Sequence, residues 1–333
     1  MTRDNSIDIA KGIGIILVVW GHQFANCPIY TWIHLFHIPL FFFLGGCFIK
    51  DEKYLIFLYK KIRTLFIPFL FFYTSSLFLK IIIYRMREGS FNFMQDTYLY
   101  STTSINFPLW FIICLFISIN IYYFTRRLKH NFIVILLTTF VGAILFYFQI
   151  SLPFFISQAL LATVFLYLGE KTYKRRINNK VLFYTTLATI PIFIYAGIGN
   201  IKTDMGNLII NSNFLIFLLP AVCGISFTLL ISRLFSQSKI SRPLQILGKY
   251  SLFVFALHVN TGFLKPISRI AMEITPPYLL NIVNTNIFIG IINTITATLF
   301  SLFIGFILNR YFPVFFGYKP NDKTLTALKN KFK

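Results

Sequence analysis

What most limits the fold of this chain is a series of ten apolar runs, at about 9–25, 32–49, 64–83, 108–125, 131–150, 153–169, 181–199, 213–232, 244–264 and 286–309. A helix rises 1.5 Å per residue, so about 20 apolar residues cross the ~30 Å hydrocarbon layer of a bilayer. The composition agrees: 56% of the 333 residues are hydrophobic and 12% charged, where soluble domains carry about 25% charged residues. A water-soluble core has no room for 42 Phe beside this much Ile and Leu. The expected fold is therefore an all-α integral membrane protein, a bundle of about ten transmembrane helices.

The basic residues orient that bundle, because short cytosolic loops collect Lys and Arg. With the N-terminus in the cytosol, 25 of the 31 Lys and Arg fall on the cytosolic side and six outside. Both termini are then cytosolic. The net charge of +21 is topology and attraction to an anionic leaflet, not a nucleic-acid footprint. Residues 1–319 read as a single membrane domain, followed by a short basic cytosolic tail at 320–333. The first run is no removable signal peptide, since Asp4 and Asp8 lead it and no small-residue cleavage pattern follows. Cys27, Cys47, Cys114 and Cys223 are scattered without CxxC spacing, which indicates neither a disulfide framework nor a zinc site.

Ionisable groups inside spans are costly and mark function by default. The first run, 8-DIAKGIGIILVVWGH-22, carries three. Lys11 and His22 are eleven residues apart, about three turns, so they share a face, and Asp8 lies one turn before Lys11. Counting the rise from the helix ends puts His22, His37 and His258 each about 20 Å from the cytosolic edge. Three imidazoles at one depth suggest a cluster that handles protons. His34 lies nearer the outer interface, and His130 belongs to a basic loop. No HExxH pattern or carboxylate at helical spacing accompanies the histidines, so no metal is expected. The loop 84–107 mixes aromatic and polar residues, with Glu88 and Asp96 as candidate sugar contacts.

Five segments, in order, resemble the acyltransferase 3 family of integral membrane O-acyltransferases, in the branch of fucose 4-O-acetylase-like and polysaccharide O-acetyltransferases. They are 8-DIAKGIGIILVVWGH-22, 36-FHIPLFFFLGG-46, 60-KKIRTLFIP-68, 108-PLWF-111 and 248-GKYSLFVFALH-258. Two departures stand out: Lys11 where most of the family has arginine, and Gly45 where it usually has serine. The resemblance implies a multi-pass protein of the plasma membrane, bacterial by its residue bias, that uses acetyl-CoA as cytosolic donor and a glycan or lipid-linked sugar as acceptor. It implies His22 as general base or transient acetyl carrier, with Lys11 and His258 as catalytic partners. Arg63, Lys60 and Lys61 would face the phosphates of the coenzyme; Trp110, His37 and Asp8 would face the acceptor. The rival reading is a proton-coupled transporter or flippase for a glycan-related solute. Against it stands the lack of an inverted repeat or of paired Gly/Pro-broken helices. The sequence fixes no oligomeric state.

Overall fold

The computed structural model describes residues 4–23, 28–86, 106–210, 212–259, 265–275 and 285–317. Glu88, Asp96, Cys27 and the tail at 320–333 lie outside the described residues.

Helix α1 covers Asn5–Gln23, α2 Pro28–His34 and α3 His37–Cys47. Helix α4 (Tyr54–Lys61) runs through a π-helical turn at Ile62–Phe66 into α5 (Ile67–Met86). Then follow α6 (Trp110–Thr125), α7 (Asn131–Tyr147), α8 (Ile156–Lys174), α9 (Asn179–Ile198) and α10 (Phe214–Leu234). The last group is α11 (Arg242–Lys249), α12 (Ser251–Leu257), α13 (Lys265–Ile274) and α14 (Thr285–Tyr311). One small hairpin departs from the all-helical expectation: β1 (Thr203–Asp204) pairs antiparallel with β2 (Ile209–Ile210).

Among the described residues, seven helical segments are long and apolar enough to cross a membrane: Ile29–Cys47, Tyr54–Ile82, Phe107–Thr125, Pro153–Lys174, Asn179–Ile198, Phe214–Leu234 and Ile287–Tyr311. Three of the ten expected runs differ. Helix α1 is long enough, but Asp8, Lys11, His22 and Gln23 dilute its apolarity. Helix α7 has 17 residues. The ninth run is broken at Tyr250 into α11 and α12. The third run reaches back to Tyr54 through the π turn. Pro68 has no N–H for the carbonyl of Thr64, and the Ile67 N–H instead donates five residues back to Ile62.

Helix α8 lies at the centre, with 67% of its span buried, and α9 at the periphery, with 17%. Exposed Phe132, Leu137 and Phe140 on α7 and Phe183, Leu187 and Ile198 on α9 form an apolar exterior suited to lipid. Inside, α3 buries Leu40, Phe42 and Leu44 completely or nearly so.

Two reciprocal glycine contacts fix the interior. A Cβ at Gly12 would stand 2.1 Å from the Leu244 carbonyl oxygen, and one at Gly248 1.8 Å from that of Asp8. Backbone therefore touches backbone where α1 crosses α11. Helices α3 and α8 meet the same way, Gly46 on Leu166 and Gly169 on Phe43. Small residues that admit a facing backbone are the usual means of close packing between membrane helices, where no hydrophobic force drives association.

A charged node ties α6, α8 and the 50–53 loop together. Arg126 pairs with both Glu170 and Asp51 and donates to the Lys50 carbonyl at 3.1 Å. Lys174 reaches Glu170 at 2.7 Å and Asp51 at 2.8 Å, and Tyr122 donates to Glu170. The Arg126 and Glu170 side chains are 5% and 7% exposed. Removing Arg126 leaves the buried Glu170 carboxylate with Lys174 and Tyr122 alone, so Arg126→Ala is expected to cost about 1.5–3 kcal/mol, less than a fully stranded buried charge would. Thermal unfolding in detergent checks this, and Arg126→Leu combined with Glu170→Leu should recover part of the loss. The hydrogen bond from Lys174, aided by the Arg126 charge, holds the Asp51 carboxyl below the usual carboxylate range. Stability from Asp51 is thus complete above about pH 4, its unfolded value, and is lost as pH falls through the lower folded value. Acid should lower the unfolding temperature of the wild type more than that of Asp51→Asn. The difference will be small, since Asp51 is 70% exposed.

Candidate active site

The glycine contact between α1 and α11 sets the position of two histidines. His22 stands ten residues after Gly12, and His258 ten after Gly248. Each chain leaves the contact over ten residues, α1 as one helix and α11 through the break at Tyr250 into α12, and their imidazole rings meet with centroids 5.0 Å apart.

The two rings have different surroundings. His258 is fully buried, and its Nδ1 lies 2.7 Å from the Phe255 carbonyl and 3.2 Å from that of Val254. A carbonyl only accepts, so Nδ1 holds the proton and Nε2 is the acceptor nitrogen. His37 is buried with Nδ1 donating to Ile33 at 2.8 Å, and half-buried His34 donates from Nδ1 to Tyr30 at 2.9 Å. His22 makes no hydrogen bond among the described residues, and its ring is exposed even though protein surrounds it. Within this cluster it is the one exposed histidine, and the one without a hydrogen bond among the described residues.

His34 belongs to the cluster, contrary to its expected place at the wet outer interface. Its ring stacks on Tyr30 at 3.7 Å, meets His37 edge-on at 4.6 Å, and lies against Gly21. Trp110 also differs from expectation. It is 5% exposed, packed on Phe155 at 5.6 Å, with the hairpin residue Gly206 closely over its indole. The hairpin explains the burial: Gln158 donates to the Gly206 carbonyl at 3.2 Å, and Thr203 to that of His34 at 2.9 Å. No sugar ring reaches Trp110 while the hairpin is in place.

A cavity of about 400 Å³ opens among α1, α3, α6, α12 and the π turn. Its polar lining includes Lys11, Lys61 and Thr64, and its apolar wall Phe41, Phe111 and Phe255. The Lys11 ammonium lies 4.2 Å from the centre of the Phe48 ring. Lys60 is drawn off to an ion pair with Glu52. Arg63 sits in the π turn beside this lining, half-buried, with a buried Nε that has no hydrogen-bond partner among the described residues. Asp8 is buried in the first turn of α1, at the glycine contact. The structure thus brings Lys11 and Lys61 to one cavity and His22 and His258 to one another, while His37 pairs with His34. Among the described residues no group of three His, Cys, Asp or Glu could hold a metal ion.

Sequence reasoning missed Asn106. It is 1% exposed and donates to the Ala256 carbonyl at 2.8 Å and to Ser76 at 3.2 Å, holding the end of α12 two residues before His258. A polar residue two positions ahead of 108-PLWF-111 was the only signal.

Residues 4–310 match a family profile described as an acyltransferase domain, acyltransferase 3. The nodulation protein NolL of Mesorhizobium japonicum is 32% identical over 132 residues, covering 35% of this chain and 34% of that protein. The chain thus aligns with about a third of the relative's length. No solved structure matches. With the family profile running through the helices of the bundle from α1 to α14, this chain belongs to the acyltransferase 3 family.

Proposed function

We propose that this acyltransferase moves an acetyl group from acetyl-CoA to a hydroxyl of a cell-surface or lipid-linked sugar, with His22 as general base. The observation that carries the reading is the contrast within the histidine cluster. His34, His37 and His258 are bonded through Nδ1, whereas His22 is exposed inside the bundle and unbonded. In the reaction, a ring nitrogen of His22 takes the proton of the sugar hydroxyl as that oxygen attacks the thioester carbonyl. The tetrahedral intermediate collapses, the carbon–sulfur bond breaks, and the thiolate leaves to be protonated as CoA. His258, its tautomer set by Phe255, positions the His22 ring.

The donor occupies the cavity below the pair, where Lys11 and Lys61 supply positive charge for the coenzyme's phosphates and apolar walls surround the pantetheine arm. Arg63, adjacent in sequence to the lining residue Thr64, would join them. The basic bias supports ten crossings with both ends cytosolic, and the abundance of Ile, Asn, Lys and Phe a bacterial source, so the donor comes from the cytosol and the acceptor from outside. The test is transfer of label from radiolabelled acetyl-CoA to alkali-labile esters on the host glycan, in membranes with and without the protein. Absence of protein-dependent esters, together with a change in how much glycan reaches the surface, would favour the transporter instead.

A further inference from the structure

We infer that the C-terminal ends of α6 and α8 hold a binding site for the phosphate of an anionic phospholipid. A cavity of about 160 Å³ opens there, and it shares no lining residue with the cavity beside Lys11. Arg126 and Arg127, just past the end of α6, and Lys171 and Lys174, in the last turn of α8, all line it. Against these four cations it presents two carboxylates, Asp51 and Glu170. Both carboxylates are already taken by Arg126 and Lys174. Arg127 makes no ion pair among the described residues. Its guanidinium donates to the Tyr123 and Glu52 carbonyls at 2.9 and 3.0 Å and lies over the Tyr123 ring. Lys171 has neither an ion pair nor a hydrogen bond among the described residues, and its ammonium lies 5.3 Å from the centre of the Tyr167 ring. Two positive charges, one from each helix end, are thus left uncompensated in one cavity. Arg126 adds a spare donor: its side chain is 5% exposed, and its buried Nε has no acceptor among the described residues. A phosphate supplies what this donor set lacks, negative charge together with several acceptor oxygens.

The surroundings of the cavity favour a lipid over a soluble phosphate. Tyr167 lines the cavity, and its ring also meets that of Phe132 on α7 at 5.7 Å. Asn131, the first residue of α7, is a lining residue as well. From there the exterior is apolar: Leu128, Phe132, Ile133 and Leu136 are each about half exposed. The basic cavity therefore continues directly into a surface suited to acyl chains, within one turn of α7. A phosphodiester carrying two chains matches that sequence of charge and then hydrocarbon. On the orientation set by the basic loops, this end of the bundle meets the cytosolic leaflet. Anionic lipids collect in that leaflet, and basic pockets between membrane helices hold their headgroups. The inference is independent of acetyl transfer and of the histidine cluster.

The test counts lipids on the purified full-length protein by native mass spectrometry in a neutral detergent, titrated with phosphatidylglycerol or with phosphatidylcholine. We expect one phosphatidylglycerol to bind at least about tenfold more tightly than any phosphatidylcholine. Lys171→Gln and Arg127→Gln should each weaken it about fivefold and together about 25-fold, the usual contribution of single basic residues near an anionic surface. Lys129→Gln with Arg175→Gln removes two exposed cations from the same ends of the bundle but outside the cavity, and should leave binding within about twofold. Equal losses in the two pairs would mean general attraction to a basic face and would overturn the site. Complete displacement of phosphatidylglycerol by millimolar inorganic phosphate or glycerol 1-phosphate would make the ligand a soluble phosphate and overturn the lipid. Should the double variant fail to fold, Lys171→Gln decides alone, since it removes no ion pair or hydrogen bond among the described residues; unchanged phosphatidylglycerol binding in that variant overturns the proposal.

Discussion

His22→Ala is expected to reduce acetyl transfer by about 10²–10⁴-fold, the usual contribution of a positioned general base, with little change in unfolding temperature. The second half of that expectation separates catalysis from packing. Deleting a side chain destabilises when it leaves a buried partner unsatisfied or opens a cavity. His22 makes no hydrogen bond among the described residues and its ring is exposed, so neither cost arises. His258 is the contrast: it is fully buried and bonded to Phe255. His258→Ala should lower the unfolding temperature as well as the rate. Because the His22 ring occupies accessible space, free imidazole should restore part of the activity of His22→Ala and none of that of His258→Ala. Ester formation from acetyl-CoA and thermal unfolding, measured on the same detergent preparations, check both statements. Unchanged transfer by His22→Ala would remove it from the chemistry.

What could be read in the sequence follows from how local the determinants are. Apolar length and the placement of basic residues are properties of single segments, and they gave the helical membrane bundle directly. Counting residues from the helix ends puts His22, His37 and His258 at one depth, but it does not single out the His22–His258 pair. The glycines that enforce that pair were visible, since Gly12 and Gly248 each precede a histidine by ten residues. The features missed depend on what lies opposite. His34 was placed at the wet edge because its depth was counted along an unbroken second helix. In the structure α2 ends at His34 and α3 begins at His37, and the turn between them brings both rings together. Trp110 reads as an acceptor contact because nothing in 199-GNIKTDMGNLII-210 announces a hairpin that folds over it. Lys60 counted as a coenzyme contact until Glu52, eight residues earlier, paired with it. Apolar periodicity does not encode such tertiary partners.

Gly12→Ala and Gly248→Ala are the substitutions for which local and tertiary energetics predict opposite signs. In an isolated helix, alanine is favoured over glycine by about 1 kcal/mol. In this bundle the added methyl would stand 2.1 Å from the Leu244 carbonyl oxygen, or 1.8 Å from that of Asp8. Those oxygens belong to helical backbone and cannot rotate aside as a side chain end can. The helices must separate, and overpacking of this kind costs about 1–3 kcal/mol or more, which outweighs the propensity gain. Separation at the contact is carried along ~15 Å of α1 and through the Tyr250 turn into α12, and a displacement of 1 Å at a reacting pair can cost about 10²-fold in rate. Each variant is therefore expected to lose both stability and about two orders of magnitude of transfer activity. Gly45→Ser is the control. A Cβ there meets the flexible end of Leu115 at 3.0 Å and, at ordinary contact distance, the side-chain ends of Leu166 and Ile119, so the fold should tolerate a residue that the family usually carries at this position. Full activity in Gly12→Ala would mean that the crossing of α1 and α11 does not set the distance between His22 and His258.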